Sequence, residues 1–251
     1  ETPREEIRLG PESLGLPAAE VAARTRRELA RFGLDRYADQ PSTTLSLGWQ
    51  QRVSIASMLA LEPPVLLLDE PTNYLDAAAA DQLFAHLARL TTEKGTTVIV
   101  VEHDRTRLRQ WADCVFVLDG GTISGSGDRR GVLQNTRAWS GIPASHAPSA
   151  TAEGRGPAVE VDNVSFSYDD GQPVLNDLSL TLYEGEIVAL LGGNGTGKTT
   201  LLKLIKGLLK PRGGHIRLAA GGELMEQVGL VFQNPDEQIF AHTVADECGY
   251  V

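Results

Sequence analysis

Cysteine is scarce in this chain of 251 residues: there are two, Cys114 and Cys248. They lie far apart and carry no metal-ligand spacing, so neither a disulfide framework nor a zinc site organises the fold. Two ordinary reduced thiols of a cytosolic chain are expected. Basic residues are outnumbered, 23 Lys and Arg against 33 Asp and Glu, for a formal net charge of −10. That argues against broad, non-specific binding of nucleic acid, though a local basic patch is compatible with it. No apolar run approaches the roughly 20 residues needed to cross a bilayer, and no signal peptide is visible. Hydrophobic residues make up 41% and charged residues 22%, which suits a soluble globular protein. The chain starts at Glu1 and stops at Val251 in mid-pattern, and is expected to be a piece of something longer.

What the chain does have is alternation. Residues 18–32 set Val21, Thr25, Leu29 and Phe32 on one helical face, and Gly33 is a fitting stop. A second helix is predicted from Trp49 to Leu61. The run PVLLLDE (64–70) is short, apolar and bounded by prolines, which predicts a buried strand. A helix from Ala77 to about Leu90 follows, then another buried strand in TTVIVVEH (96–103). CVFVLDGGTISG (114–125) reads as a strand, a Gly-Gly turn and a strand. Short apolar strands alternating with helices predict an α/β layer architecture with a largely parallel sheet.

Residues 140–157, rich in Ser, Ala, Gly and Pro, lack periodic apolar positions and read as a linker. Beyond them, AVEVDNVSFSY and PVLNDLSLTLYEGEIVALLG predict antiparallel strands leading into one buried strand. The stretch GGNGTGKTT (192–200) comes next, then a helix in KTTLLKLIKGLL and further strands in HIRLA and QVGLVFQ.

Gly192-x4-Gly197-Lys198-Thr199 fits the phosphate-loop pattern, with a buried strand before it and a helix after it. Its glycines let backbone N–H groups close around phosphates, and the helix N-terminus adds its positive end. Lys198 is assigned to the β and γ phosphates and the Thr199 hydroxyl to Mg²⁺. Asn194, Gly195 and Thr200 belong to the same stretch and count with it as nucleotide contacts. A nucleotide hydrolase normally carries its metal-binding acid well downstream of such a loop, yet only 51 residues (251 − 200) follow Thr200. The acids stand upstream instead. VLLL ends in Asp69-Glu70, at the tip of a predicted parallel strand, where open α/β sheets bind ligands. There Asp69 can hold Mg²⁺ through water and Glu70 can polarise an attacking water. Taken alone, an apolar run plus acids is more often a strand capped by surface carboxylates, and His103 alone is more often structural.

The company of these residues changes both readings. LSLGWQQR (45–52), LLLDEP and VVEHD (100–104) together resemble the ABC-type ATPase family. Leu45, Ser46, Leu47, Gly48 and Trp49 match its signature Leu-Ser-Gly-Gly-Gln, departing at Leu47 and Trp49, and Gln50 and Arg52 fit the residues downstream. His103 matches the switch histidine. Tyr168 resembles the adenine-stacking aromatic, and Gln233 in LVFQNPDEQIF resembles the glutamine loop, which implies a catalytic and metal-binding role for it. The resemblance implies a P-loop nucleotidase fold with a mostly parallel core sheet, an antiparallel β subdomain and a helical subdomain. It also implies ATP and Mg²⁺ as ligands, and Ser46 and Gly48 donating to a γ-phosphate on a facing subunit. The bulk of Leu47 is expected to weaken that tip.

In the family the phosphate loop and glutamine loop precede the signature, the acid and the histidine. Here the last three come first. The expectation is a circularly permuted order: residues 1–139 are the back part of one module, 140–157 the linker and 158–251 the front part of the next. Aligning Thr2 with Thr243 gives an offset of 241 residues (243 − 2), a plausible single period of a two-unit repeat. The two parts are expected to build one α/β core.

FQNPDEQIF, and EEIRLGPESLGLP near the start, resemble energy-coupling-factor importers of vitamins and metal ions. This implies a peripheral protein on the cytoplasmic face of the membrane. Its partners would be a transmembrane coupling protein and a second ATPase module or second copy, with no nucleic acid. The competing class is a soluble tandem ATPase acting on ribosomes or DNA. Ribosome-acting members usually carry a long charged linker, which the short, nearly uncharged linker here does not resemble.

Overall fold

The computed structural model describes residues 2–128, 155–168, 173–192 and 195–234. Asn194, most of the expected linker and Thr243 lie outside them. The chain forms two compact units. One comprises Glu1–Pro63, Pro71–Ala77 and Val231–Val251, the other Pro64–Glu70 and Ala78–Leu230.

The first unit is helical where described. α1 (Pro3–Ser13) opens with a reciprocal cap: the Glu5 N–H donates to Thr2 Oγ1, and the Thr2 N–H donates to the Glu5 carboxylate at 2.9 Å. This satisfies two of the donors that a helix start leaves open. α2 (Ala18–Arg31) buries Val21, Thr25, Glu28 and Leu29, the face expected from the spacing apart from Glu28. That carboxylate is tolerated because Arg27 (2.8 Å) and Arg31 (2.9 Å) pair with it, and a buried charge needs such partners. Gly33, at φ +66°, ends the helix region. α3 (Leu47–Ala60) begins two residues before the expected Trp49, with Ser46 as N-cap.

Among the described residues the second unit holds two sheets. The larger has six strands in the order β4-β3-β7-β2-β1-β9: β1 (Val65–Asp69), β2 (Thr97–Val101), β3 (Cys114–Asp119), β4 (Thr122–Asp128), β7 (Ile187–Leu191) and β9 (Val228–Val231). β1, β2, β7 and β3 run parallel in sequence across it, and β4 returns antiparallel from β3. β1, β2 and β7 are buried along their whole length, as continuous apolar runs predict for strands covered on both faces. Strands from before residue 129 and after residue 154 therefore share one sheet, with β7 between β2 and β3. The smaller sheet, β6-β5-β8, is antiparallel and consists of β5 (Pro157–Phe166), β6 (Leu175–Tyr183) and β8 (Gly213–Leu218). Helices α4 (Ala77–Lys94), α5 (Arg105–Trp111), α6 (Lys198–Lys206) and the short α7 (Leu224–Gln227) are the other α-helices among the described residues. α4 runs four residues past the expected Leu90. α6 stops short of the expected Leu209, because Gly207 takes φ +85° and its N–H turns back to the Leu204 carbonyl.

Candidate functional site

The glycine loop follows β7 and feeds α6. Gly195 and Gly197 adopt φ +77° and +99°, a region that residues with a Cβ enter only at a cost. Gly192 is required for a different reason. A Cβ there would stand 2.4 Å from the Leu118 carbonyl oxygen at the end of β3. A Cβ on Gly197 would meet the Leu175 side chain at 2.8 Å. At Gly192 and Gly197 the backbone thus lies too close to its surroundings to carry a side chain. Lys198 is buried at the start of α6, and its ammonium donates to the Gly192 carbonyl at 3.0 Å.

One residue further on, the Thr199 hydroxyl donates to Asp69 Oδ2 at 2.5 Å. Asp69 is the last residue of β1 and is 2% exposed. Burial raises its pKa above the ordinary carboxylate value; the neighbouring Glu70 adds to this, while the Thr199 hydrogen bond and Lys198 oppose it. Glu70 adopts φ +47°, uncommon for a residue with a side chain. Its N–H donates to the Val101 carbonyl at 3.0 Å, and its Oε1 lies 2.6 Å from His103 Nε2. Backbone strain of this kind is of order 1–3 kcal/mol and persists only where surrounding contacts hold it.

Asp69, Glu70, His103, Gly192, Gly195, Gly197, Lys198, Thr199, Thr200 and Tyr168 all belong to the second unit. Within it, Thr199 meets Asp69, and His103 meets Glu70. Tyr168, just beyond β5, bonds the Thr200 hydroxyl at 3.2 Å. Asn194 lies outside the described residues. Gln233, and the Ser46–Trp49 stretch, belong to the first unit. In that unit Ser46 is exposed and its side chain forms no capping hydrogen bond. Leu47 is 44% exposed. Gly48 has a packing reason to lack a side chain, since a Cβ would stand 2.5 Å from the Tyr74 carbonyl. Trp49 packs on the Tyr37 ring at 4.7 Å, with the Arg36 and Arg52 guanidiniums 5.2 and 4.5 Å from its ring.

Sequence reasoning missed two features. Glu102, buried directly after β2, accepts the N–H groups of His103 (2.7 Å) and Asp104 (3.1 Å) on one carboxylate oxygen. It fixes the turn from which His103 projects. Its one sequence signal was an acid between an apolar strand and the histidine. The Tyr168–Thr200 contact had no signal, as the two are 32 residues apart.

Chemically, the site is a glycine cradle at a helix N-terminus, one buried ammonium, and a hydroxyl and carboxylate oxygen side by side. The first two fit a polyphosphate. The oxygen pair fits a hard divalent cation of the Mg²⁺ type, which takes few protein ligands and completes its shell with phosphate and water. Among the described residues no cluster of three or more His, Cys, Asp or Glu side chains offers a metal site.

A sequence profile of the ABC transporter family matches residues 2–73 and 175–247, more than half of the chain. The chain belongs to the ABC transporter family. Its α/β architecture, with a P-loop, mixed sheets and a helical unit, is that of the family's ATP-binding cassette. It is similar to a provisionally named ABC transporter ATP-binding protein of Streptomyces coelicolor, 33% identical over 316 residues, covering 99% of this chain and 56% of that protein. It is also similar to a Bacillus subtilis protein provisionally named as the HMP/thiamine import ATP-binding protein YkoD, 32% identical over 286 residues, covering 98% of this chain and 52% of that one. Among solved structures it resembles cbiO1 of Clostridium perfringens, described as part of the ABC transporter complex cbiONQ. The TM-score is 0.47 at 32% identity, over 53% of either chain. The chain spans about half the length of the curated relatives it matches.

Proposed function

We propose that this chain binds ATP with Mg²⁺ and comes from a tandem ATP-binding protein that powers an importer of the energy-coupling-factor type. Residues 1–139 are the back part of its first module, 140–157 the linker and 158–251 the front part of its second. The observation that carries the nucleotide-site reading of this chain is the Thr199–Asp69 hydrogen bond. It joins the phosphate-loop helix to the acid at the tip of β1 across 130 residues of sequence. The importer reading is supported by the likeness to YkoD and by the FQNPDEQIF segment.

In this reading the phosphates lie against the backbone of residues 192–198, with Lys198 supplying positive charge and Tyr168 stacking on adenine. Thr199 and Asp69 would hold Mg²⁺, and Gln233 is assigned a metal-binding and catalytic role from its place in the LVFQNPDEQIF segment. When bound, the metal neutralises charge on the phosphate oxygens. Glu70 takes the proton of the attacking water, and His103, through its 2.6 Å contact with the Glu70 carboxylate, holds that carboxylate in place. Catalysis of this kind is mostly positioning and electrostatics. Ser46 and Gly48 serve a phosphate on a second module or second copy. The assembly sits at the cytoplasmic face of the membrane on a transmembrane coupling protein and binds no nucleic acid.

Titration with labelled ATP tests the site. Lys198→Ala is expected to abolish binding, and unchanged affinity overturns the assignment. Co-fractionation of the intact parent with membranes holding the coupling protein tests the transport role; association with ribosomes instead overturns it.

A further inference from the structure

Tyr168 is held on three sides. The carbonyl of Ser167, immediately before it, accepts from Arg212 Nε at 3.1 Å. The Phe166 ring packs edge-on against its ring, at 5.0 Å and 88°. Its hydroxyl reaches the Thr200 hydroxyl at 3.2 Å. Yet the residue remains 49% exposed, so a ring face is open to solvent while the far end of the ring is tied down. Thr200 is buried in the first turn of α6, two residues after the Lys198 that bonds the Gly192 carbonyl. The backbone of the same region is pinned too: Gly197 sits against Leu175 and Val174 at the start of β6, and the Val174 N–H donates to the Phe166 carbonyl at 2.8 Å.

An exposed aromatic ring stacks best on a base when its orientation is fixed beforehand, because ordering a free side chain on binding costs affinity. A hydroxyl–hydroxyl bond at the tip of the ring provides such fixing, and it fixes the ring relative to the phosphate loop rather than to the antiparallel sheet that carries it. We propose that Thr200 is a positioning residue that acts on the nucleotide through Tyr168, locking the base-stacking ring in register with the phosphate cradle. This rests on the ATP-site reading above. It adds that base recognition and phosphate recognition are coupled through one side-chain contact, and that the Tyr168 hydroxyl matters as well as its ring.

A double-mutant cycle on the full chain tests the coupling: Tyr168→Phe, Thr200→Val and both together, titrated with ATP and, separately, with inorganic tripolyphosphate, which has no base. A hydrogen bond of ordinary net strength corresponds to roughly 2- to 10-fold in affinity. For ATP, each single variant is expected to bind about that much more weakly, and the double variant no more weakly than the weaker single one. For tripolyphosphate the effects are expected to multiply, without coupling. Thr200→Ser, which keeps the hydroxyl, is expected to restore ATP affinity. Multiplying effects for ATP, equal coupling for both ligands, or failure of the Ser variant to restore affinity overturns the inference. Failure of the unaltered chain to bind ATP overturns the site reading and the inference with it.

Discussion

Glu186 directly precedes β7, an inner strand of the large sheet, at the end opposite the glycine loop. It is 1% exposed. One oxygen accepts the Tyr183 N–H at 2.7 Å, and the other is buried without a partner. Burial pushes its pKa up from 4.5 to about 7; the Tyr183 N–H opposes this, the nearby Asp113 adds to it, and Arg155 opposes it. The carboxyl therefore holds its proton more tightly in the fold than in the unfolded chain, by roughly 3 kcal/mol at 1.36 kcal/mol per pH unit. Between about pH 4.5 and 7 the folded state binds more protons than the unfolded state. Stability then falls as pH rises through that window, and the loss persists above it. Glu186→Gln keeps an oxygen for the Tyr183 N–H and removes the ionisation. We expect the variant to be about as stable as the parent sequence near pH 5 and more stable at pH 8, by up to about 3 kcal/mol. Urea unfolding at pH 5, 6, 7 and 8 reads both curves. Parallel pH profiles for the two proteins would refute the reasoning, because they would show that Glu186 is ionised throughout or equally solvated in both states.

Gly192→Ala places a methyl 2.4 Å from the Leu118 carbonyl oxygen; overpacking of this kind costs about 1–3 kcal/mol. Calorimetric ATP titration together with thermal unfolding should show both weaker binding and a lower midpoint. In the intact parent, Glu70→Gln should lower turnover at the site it serves by about 10²- to 10⁴-fold, the range for general-base catalysis, while ATP binding is kept; undiminished ATPase in steady-state kinetics shows either that Glu70 is not the base or that the other module's site alone suffices. The chain alone should hydrolyse ATP slowly, at a specific rate that rises with protein concentration, since the Ser46–Gly48 tip is to be supplied by a second copy. A specific rate independent of concentration argues against that.

The strands were the most legible part of the fold. VLLL, TVIVV and IVALL are too short for helices and too uniformly apolar for half-exposed strands, which leaves buried parallel strands as their natural reading. α1 was less legible. Gly10 and Pro11 lower helix propensity, and the Thr2-x-x-Glu5 cap that starts the helix is a signal of only four residues. The helix instead holds through tertiary burial of Ile7 and Pro11. In the site, the glycine loop could be read from spacing, because its chemistry is backbone chemistry confined to a few consecutive residues. The acids could not be read on their own, since a strand ending in Asp-Glu looks the same whether it faces a ligand or water. Sheet order was invisible for the same reason: periodicity reports which face of a strand is buried, not which strand lies beside it.

Sheet order is nevertheless what assembles the site, and it explains why a reversed motif order is compatible with these contacts. Asp69 pairs with Val101 across β1 and β2, and Val101 pairs with Leu190 across β2 and β7. Leu191 pairs with Val117 on β3. At about 4.8 Å between strands, Asp69 and Leu190 are two strand spacings apart, roughly 10 Å. Everything that emerges just beyond these residues leaves the sheet along one edge: Glu70, Glu102 with His103, and Gly192. None of this depends on which strand comes first in the chain. It depends on parallel direction and on register. Register is the sensitive quantity, because a slip of one residue sends every side chain of a strand to the opposite face. Moving β7 by one position would also carry the glycine loop about 3.3 Å along the strand axis, which exceeds the 2.5 Å Thr199–Asp69 contact itself. Deleting one residue within residues 187–191 should therefore abolish ATP binding even where the chain still folds, whereas an insertion in the Ser-, Ala-, Gly- and Pro-rich stretch before residue 155 should leave binding intact. Loss of binding from the linker insertion, measured by the same ATP titration, would show that chain order rather than strand register holds the site together.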